Sequence, residues 1–335
     1  MISVISGTSN CFDYLFVFKL GSFIFAIKSI LRKLKLLENL INVHAPSGEE
    51  FRMREFLLDY ISTQKHRWKV MPEVVYGSEF QDVVMLVFGK PRTAIFAHVD
   101  TIGFTVRYAN QLVPIGGPEA ELGFELTGED SIGSIVCKLL PQEGRLFHDF
   151  PRGIDRGTSL VFKSNFRLTE EYVQTPYLDN RLGVYNALKV AEQLEDGVIA
   201  FTTYEEHGGG SVPFVLRYLE ARFQIRNALL SDVTWVTEGV QPGKGVVISL
   251  RDRNIPRKIF LDKLLQLAAE SGIPYQLEVE GGGSSDGREI QMSPFPIDWC
   301  FIGAPEDYVH SPDERVHLKD IDAMIGMYSY LMKNL

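Results

Sequence analysis

Residues 198–232 read VIAFTTYEEHGGGSVPFVLRYLEARFQIRNALLSD. An apolar run of strand length at 198–204 gives way to a polar, glycine-rich turn. A helix-spaced segment follows at 212–222, and a second apolar run closes the stretch at 228–232. Strand, helix, strand is the unit that lays two strands side by side with the helix across them. The same alternation continues on either side. Helices are expected at 181–194, 257–271 and 318–333, and strands at 246–250, 275–279 and 299–303. Upstream, 82–88 and 93–97 are short apolar runs of buried-strand type. Residues 28–43 and 49–63 place leucines and isoleucines at helical spacing, the second with Glu49 and Glu50 at its start. The pattern predicts an α/β fold: a mostly parallel sheet with helices on both faces.

From 103 to 171 the texture changes to short alternating runs between Gly and Pro turns, with no helical period. This reads as a small all-β domain inserted into a catalytic α/β domain made of 28–102 plus 172–335. Residues 1–27 read as an extension. Its apolar part, 14–27, is short for a membrane span, contains Lys19, and lacks the basic start of a signal peptide. Membrane association or export is the lesser reading.

The chain has 335 residues, 34 Lys plus Arg against 43 Asp plus Glu, and a net charge of −9. That balance argues against a nucleic-acid partner, which needs a basic footprint. It suits a protein that holds cations. Hydrophobic residues at 45% exclude a disordered chain. Cys11, Cys137 and Cys300 form no C-x-x-C pair, so neither a disulfide framework nor a cysteine zinc site is expected, and a reducing, cytoplasmic setting is.

In open α/β sheets, sites form beyond the carboxyl ends of the strands. There the sequence puts His98 and Asp100 after TAIFA, Asp179 before helix 181–194, Glu205 and Glu206 after VIAFTTY, Asp232 after ALLS, and His310 after the 299–303 strand. Each alone has a bland reading: a polar strand end, a helix cap for Asp179, a solvated loop for the two glutamates, a turn for Asp232. Together they match a two-cation site. Two divalent ions carry four positive charges; Asp179, Glu206, Asp232 and one hydroxide carry four negative ones. Imidazole and carboxylate suit zinc. Asp179 would stand between the ions, with His98 and Asp232 on one and Glu206 and His310 on the other. Asp100, two residues along the strand from His98, can fix its ring. Glu205 is left free as a general base.

These residues sit in motifs that resemble the co-catalytic dimetal aminopeptidases of the tetrahedral, glutamyl and deblocking group. The motifs are APSGEE at 45–50, AHVDTIGF at 97–104, PIGG at 114–117, LDNRLG at 178–183 and EEHG at 205–208, continued by SDV at 231–233, GKGVVI at 243–248, GGGSSDG at 281–287 and YVHSP at 308–312. The resemblance implies a metal-dependent aminopeptidase acting on peptides, with two divalent ions, zinc or else cobalt. It places metal ligands at His98, Asp179, Glu206, Asp232 and His310, the base at Glu205, and a supporting aspartate at Asp100. It implies a β insertion at 103–171 used in gating and assembly, and a large homo-oligomer. The run Gly281, Gly282, Gly283 and the nearby Asp286 are expected to bind substrate, the glycines by letting its backbone approach. The chain departs from the family pattern at His207, expected as a loop or pocket residue, and at Ser284-Ser285-Asp286.

Other readings compete. A dipeptidase, carboxypeptidase or N-deacylase could use the same dimetal fold. HGGG at 207–210 and GSSDG at 283–287 formally match a serine esterase with Ser285 as nucleophile, but little chain follows for its acid and histidine. A metal-free binding protein leaves the whole constellation without a purpose. His44, His66, His148 and His317 have no carboxylate pattern around them and are expected as structural or surface residues.

Overall fold

The computed structural model describes residues 32–335. The expected extension 1–27 and the start of the helix expected at 28–43 lie outside the described residues. Residues 32–41 form α1, followed by α2 (Phe51–Gln64), which buries Met53, Leu57 and Ile61 at helical spacing.

An eleven-stranded sheet forms the main layer. Its first half holds β1 (Glu73–Val75), β2 (Val84–Phe88), β3 (Thr93–His98), β12 (Gly197–Thr202) and β13 (Asn227–Trp235). Its second half holds β14 (Val246–Arg251), β15 (Tyr275–Val279), β16 (Asp298–Asp307) and β17 (Arg315–His317), with β10 (Arg167–Leu168) and β11 (Tyr172–Gln174) at one end. The order is β1-β2-β12-β3-β13-β16-β17-β11-β10, with β14 paired to both β15 and β16.

The sheet is mixed, which corrects the expectation of a mostly parallel one. β12, β3, β13 and β16 are mutually parallel, but β1, β2, β10, β11, β14 and β17 join through antiparallel pairs. β12 and β13, and β14 and β15, are joined through helices and run parallel; strands that follow one another through short links, as β1 to β2 and β16 to β17, need no crossover and pair antiparallel. Both faces are covered. Val84, Leu86 and Phe88 point into one apolar core with α1, α2, α3 (Leu178–Ala191), α5 (Lys258–Ser271) and α7 (Leu318–Asn334). Met85 and Val87 point into the other with α4 (Val212–Phe223) and α6 (Gly287–Met292). This period-two division of a wholly apolar strand is what two covered faces require.

Between β3 and β10 the chain forms a closed barrel of β4 (Gly103–Val106), β5 (Gln111–Ile115), β6 (Glu125–Asp130), β7 (Gly133–Gln142), β8 (Arg145–His148) and β9 (Ser159–Phe162). Its own core centres on Phe104, Leu126, Ile135, Leu139 and Phe162. Among the described residues no helix is long and apolar enough to cross a membrane.

Candidate metal centre

The parallel strands β12, β3, β13 and β16 all end at one edge, and the titratable residues gather there. His98 is the last residue of β3, opposite Thr202 on β12. Its Nε2 lies 3.2 Å from Asp179 Oδ1, 3.7 Å from Asp232 Oδ2 and 4.0 Å from Glu205 Oε2. His310 Nε2 lies 3.3 Å from Glu206 Oε2 and 3.4 Å from Asp179 Oδ2. Asp179 therefore stands between the two imidazoles. His98, Asp179 and Glu206 can each offer one ligand atom with all three atoms within 4.8 Å of one another. Asp179 Oδ1 and Glu206 Oε1 are buried without a hydrogen-bond partner. Such atoms are costly unless a cation or donor meets them, and the nitrogen and oxygen set suits zinc and related divalent ions.

Asp179 is not a helix cap. The first residues of α3 are irregular, with φ/ψ of −77/107 at Asp179 and −118/38 at Asn180. Asn180 fixes this turn: its Nδ2 donates to Ser231 O (2.8 Å) and its Oδ1 accepts Gly183 N–H (2.9 Å). Gly183 permits the approach, since a Cβ there would stand 2.0 Å from Ser231 O.

A second set of buried groups holds the first in place. Asp100 Oδ1 accepts the N–H of Glu205 and Oδ2 that of Glu206 (3.1 Å each). Ser47 Oγ donates to Asp100 Oδ2 (2.6 Å), and His98 Nδ1 is 3.5 Å from Oδ1. Glu314 Oε2 accepts Asp179 N–H and its Oε1 accepts His310 N–H (3.1 Å each). Glu50 accepts the N–H of Gly48 (2.9 Å) and of Tyr204 (3.1 Å), which ties the 46–50 turn to the strand end before Glu205. Arg181, wholly buried, donates to the carbonyls of Val99 and Val43.

The electrostatics follow from packing these charges away from water. Burial raises Glu205 well above the usual carboxylate range, with His98 pulling the other way and Asp232, Asp286 and Asp100 adding to the rise. Burial and Asp179 do the same to Glu206 and, less strongly, to Asp232. Asp179 is lowered, because its contacts with His310 and His98 outweigh its burial. His98 is raised well above the ordinary imidazole value: burial opposes the charged ring, but Asp232, Asp100 and Asp179 overcome it.

Glu205, Glu206, Asp179, Asp232, His98 and His310 line one cavity of about 600 Å³. Gly282 and Gly283 line it beside Trp235; Gly281 does not take part in the lining. Asp286 also lies off the cavity wall, against the expectation that it contacts substrate. It is buried, its Oδ2 accepts the Thr202 hydroxyl (2.5 Å), and burial pushes it up to about 7. Ser285 is no nucleophile paired to histidine: its hydroxyl donates to Asp232 Oδ2 (2.7 Å), while the His310 ring meets Asp179, Glu206 and, through Nδ1, Gly117 O (3.0 Å). The barrel reaches the site through the turn after β5. There Gly116 N–H donates to His207 Nδ1 (3.0 Å) and Glu119 N–H to His310 O (2.9 Å). His44, His148 and His317 serve elsewhere, against Glu49, Phe150 N–H and Lys319 N–H.

The chain is similar to known aminopeptidases. A family model described as M42 glutamyl aminopeptidase matches residues 150–327. The lysyl aminopeptidase of Pyrococcus furiosus is 25% identical over 353 residues, covering 90% of this chain and 97% of that protein. Among solved structures, an aminopeptidase from the archaeon Desulfurococcus kamchatkensis superposes with a TM-score of 0.81 at 22% identity, covering 91% of this chain and 95% of the other. The Pyrococcus horikoshii TET1 peptidase, described as assembling into a tetrahedron or a large octahedral shell, gives a TM-score of 0.73 at 22% identity, over 89% of this chain and 98% of its own. At these identities the structural matches speak to the fold.

Proposed function

The chain belongs to the M42 glutamyl aminopeptidase family and is a metal-dependent aminopeptidase; from that premise we propose how its residues divide the work. His98, Asp179, Glu206, Asp232 and His310 would hold two divalent cations, zinc or else cobalt, Asp179 being the carboxylate that faces both imidazoles. Bound there, the cations supply Lewis acidity that polarises a carbonyl and acidifies water. Glu205 lines the cavity and is not assigned to a cation, so it is placed to take a proton from the attacking water and pass it to the leaving amine. Asp100 acts as a positioning residue, clamping the Glu205 and Glu206 backbone and facing the His98 ring. Gly282 and Gly283 give the substrate backbone room. The 103–171 segment acts as an inserted domain that gates the cavity through the 116–119 turn and supports homo-oligomer assembly in a cytoplasmic enzyme.

The observation that carries this reading is the convergence of two imidazoles on Asp179, beside buried carboxylate oxygens that no other group satisfies. Treatment with a strong chelator is expected to abolish hydrolysis of free-amino peptides, and zinc or cobalt to restore it. Acetylated peptides are expected to be poor substrates. Full activity in protein shown by metal analysis to be metal-free overturns the reading; equal cleavage of acetylated peptides favours a deacylase on the same fold.

A further inference from the structure

The outer face of the barrel carries a basic hollow on an acidic chain. Arg107, Tyr108, Gln111, Val113 and Arg145 line a cavity of about 550 Å³, and no Asp or Glu shares its wall. The ladders bring them together. Thr105 pairs with Val113 and Gln111 with Phe147, and Arg107 N–H still donates to Gln111 O just past β4. Arg107, Gln111, Val113 and Arg145 therefore follow one side of β4, β5 and β8. Arg152 and Lys163 elsewhere on the barrel pair with Asp130 and Glu125. Arg107 and Arg145 are exposed and, among the described residues, meet no carboxylate, although the chain has a net charge of −9. Arg107 is held in place: its guanidinium lies 4.2 Å from the Tyr108 ring centroid and donates to the Tyr108 hydroxyl. A guanidinium fixed by stacking is a planar donor fork that matches a carboxylate. Tyr108 and Val113, 49% and 45% exposed, add an apolar surface beside it.

One strand joins this face to the metal centre. β5 runs from Gln111 to Ile115 and leads into the 116–119 turn, where Gly117 and Glu119 line the metal-centre cavity. From Gly117 back to Val113 and Gln111 is about 13–20 Å at strand spacing, which an extended peptide covers in about four to six residues. We propose that the Arg107–Arg145 face is a docking site for acidic side chains of a peptide substrate whose amino end lies at the metal centre, the contact falling near the fifth to seventh residues. Charge complementarity selects this occupant: the face offers two guanidinium groups and no counter-charge of its own. The inference rests on the aminopeptidase reading and adds to it a preference for acidic sequence downstream of the scissile bond.

The test gives the metal-loaded enzyme two peptides that differ only in glutamate or glutamine at the fifth to seventh residues, and an aminoacyl p-nitroanilide with the same first residue. The glutamate peptide is expected to have the higher kcat/KM by about fivefold, the upper scale of an exposed ion pair. The gap is expected to lie in KM and to close as salt is raised. Arg107→Gln combined with Arg145→Gln is expected to remove the gap and leave the p-nitroanilide rate unchanged. The wild-type comparison stands even if the variant fails to fold. Equal kcat/KM for the two peptides, or a gap that survives in the folded variant, overturns the docking site while p-nitroanilide hydrolysis keeps the aminopeptidase. A fall in the variant's mass in solution, with the gap unmoved, assigns the face to a second copy of the chain and overturns the proposal too. Hydrolysis of none of the three substrates overturns both readings.

Discussion

Two groups of buried carboxylates meet at the sheet edge and differ in what satisfies them. Asp179, Glu206 and Asp232 turn toward one another and toward two imidazoles, with Asp179 Oδ1 and Glu206 Oε1 unbonded. Asp100, Glu314 and Glu50 are fully buried, and their oxygens receive backbone N–H groups. A carboxylate whose oxygens are met by N–H donors is a structural tie, whereas the unmet oxygens of Asp179 and Glu206 call for a cation; Asp232 stands between the two, accepting Val233 N–H at Oδ1 and the Ser285 hydroxyl at Oδ2. Residue type is the same in both groups. What the oxygens face, a cavity or a backbone N–H, separates a cage from its frame.

Substitutions in each group sharpen or break that division. Glu205→Gln keeps the shape of the cavity wall but removes its proton acceptor, and kcat is expected to fall about 10²–10⁴-fold with bound metal retained. A near-normal rate measured beside metal content would remove Glu205 from its role. Asp100→Asn turns an N–H group toward the N–H of Glu205 or Glu206. Supporting residues of this kind are worth about 10–100-fold in metal affinity or activity, so metal titration and kcat are expected to fall together. A fall in thermal stability alone would make Asp100 purely structural.

Glu314→Ala leaves the N–H groups of Asp179 and His310 buried without an acceptor, at about 1–3 kcal/mol each. Denaturant unfolding of the metal-free protein is expected to show the loss, and Glu314→Gln, which restores one acceptor, to recover part of it. No difference between Ala and Gln would place Glu314 outside the frame. The smallest effect is expected at His207, an exposed residue whose ring accepts the Gly116 N–H. His207→Ala is expected to cost at most about 1 kcal/mol in stability while altering KM more than kcat, because it loosens the barrel turn over the cavity. A lowered kcat with unchanged KM would contradict the gating proposed for that turn.

The residues around the cavity were legible to very different degrees. His98, Glu205, Glu206, Asp232 and His310 each follow an apolar run, so the end of a strand could be read and the charged residue there noticed. Glu314, Glu50 and Arg181 carry no such signal. Each has a backbone partner far along the chain, 135, 154 and 138 residues away, at Asp179, Tyr204 and Val43. A bond to a backbone N–H or carbonyl leaves no mark on the identity of the partner, so no spacing or pairing in the chain reveals it. Asp286 sits in a glycine-rich stretch beside cavity residues, but the fold turns it inward to Thr202.

The chain alone determined that alternating strands and helices build a sheet covered on both faces, because an apolar run of strand length can be buried only that way. It also determined that imidazoles and carboxylates crowd the strand ends, since their chemistry and position are both written in one dimension. Strand direction at the sheet margins was decided in three dimensions: β2 and β3 follow each other in the chain, yet β12 lies between them, antiparallel to one and parallel to the other. So was the turn that takes Asp179 off the helix and between two histidines, held by Asn180 and Glu314. The physical reason is the same in both cases. Apolar period and residue type are local properties, whereas hydrogen-bond partners and the facing of charges depend on which distant segments the burial of the core brings together.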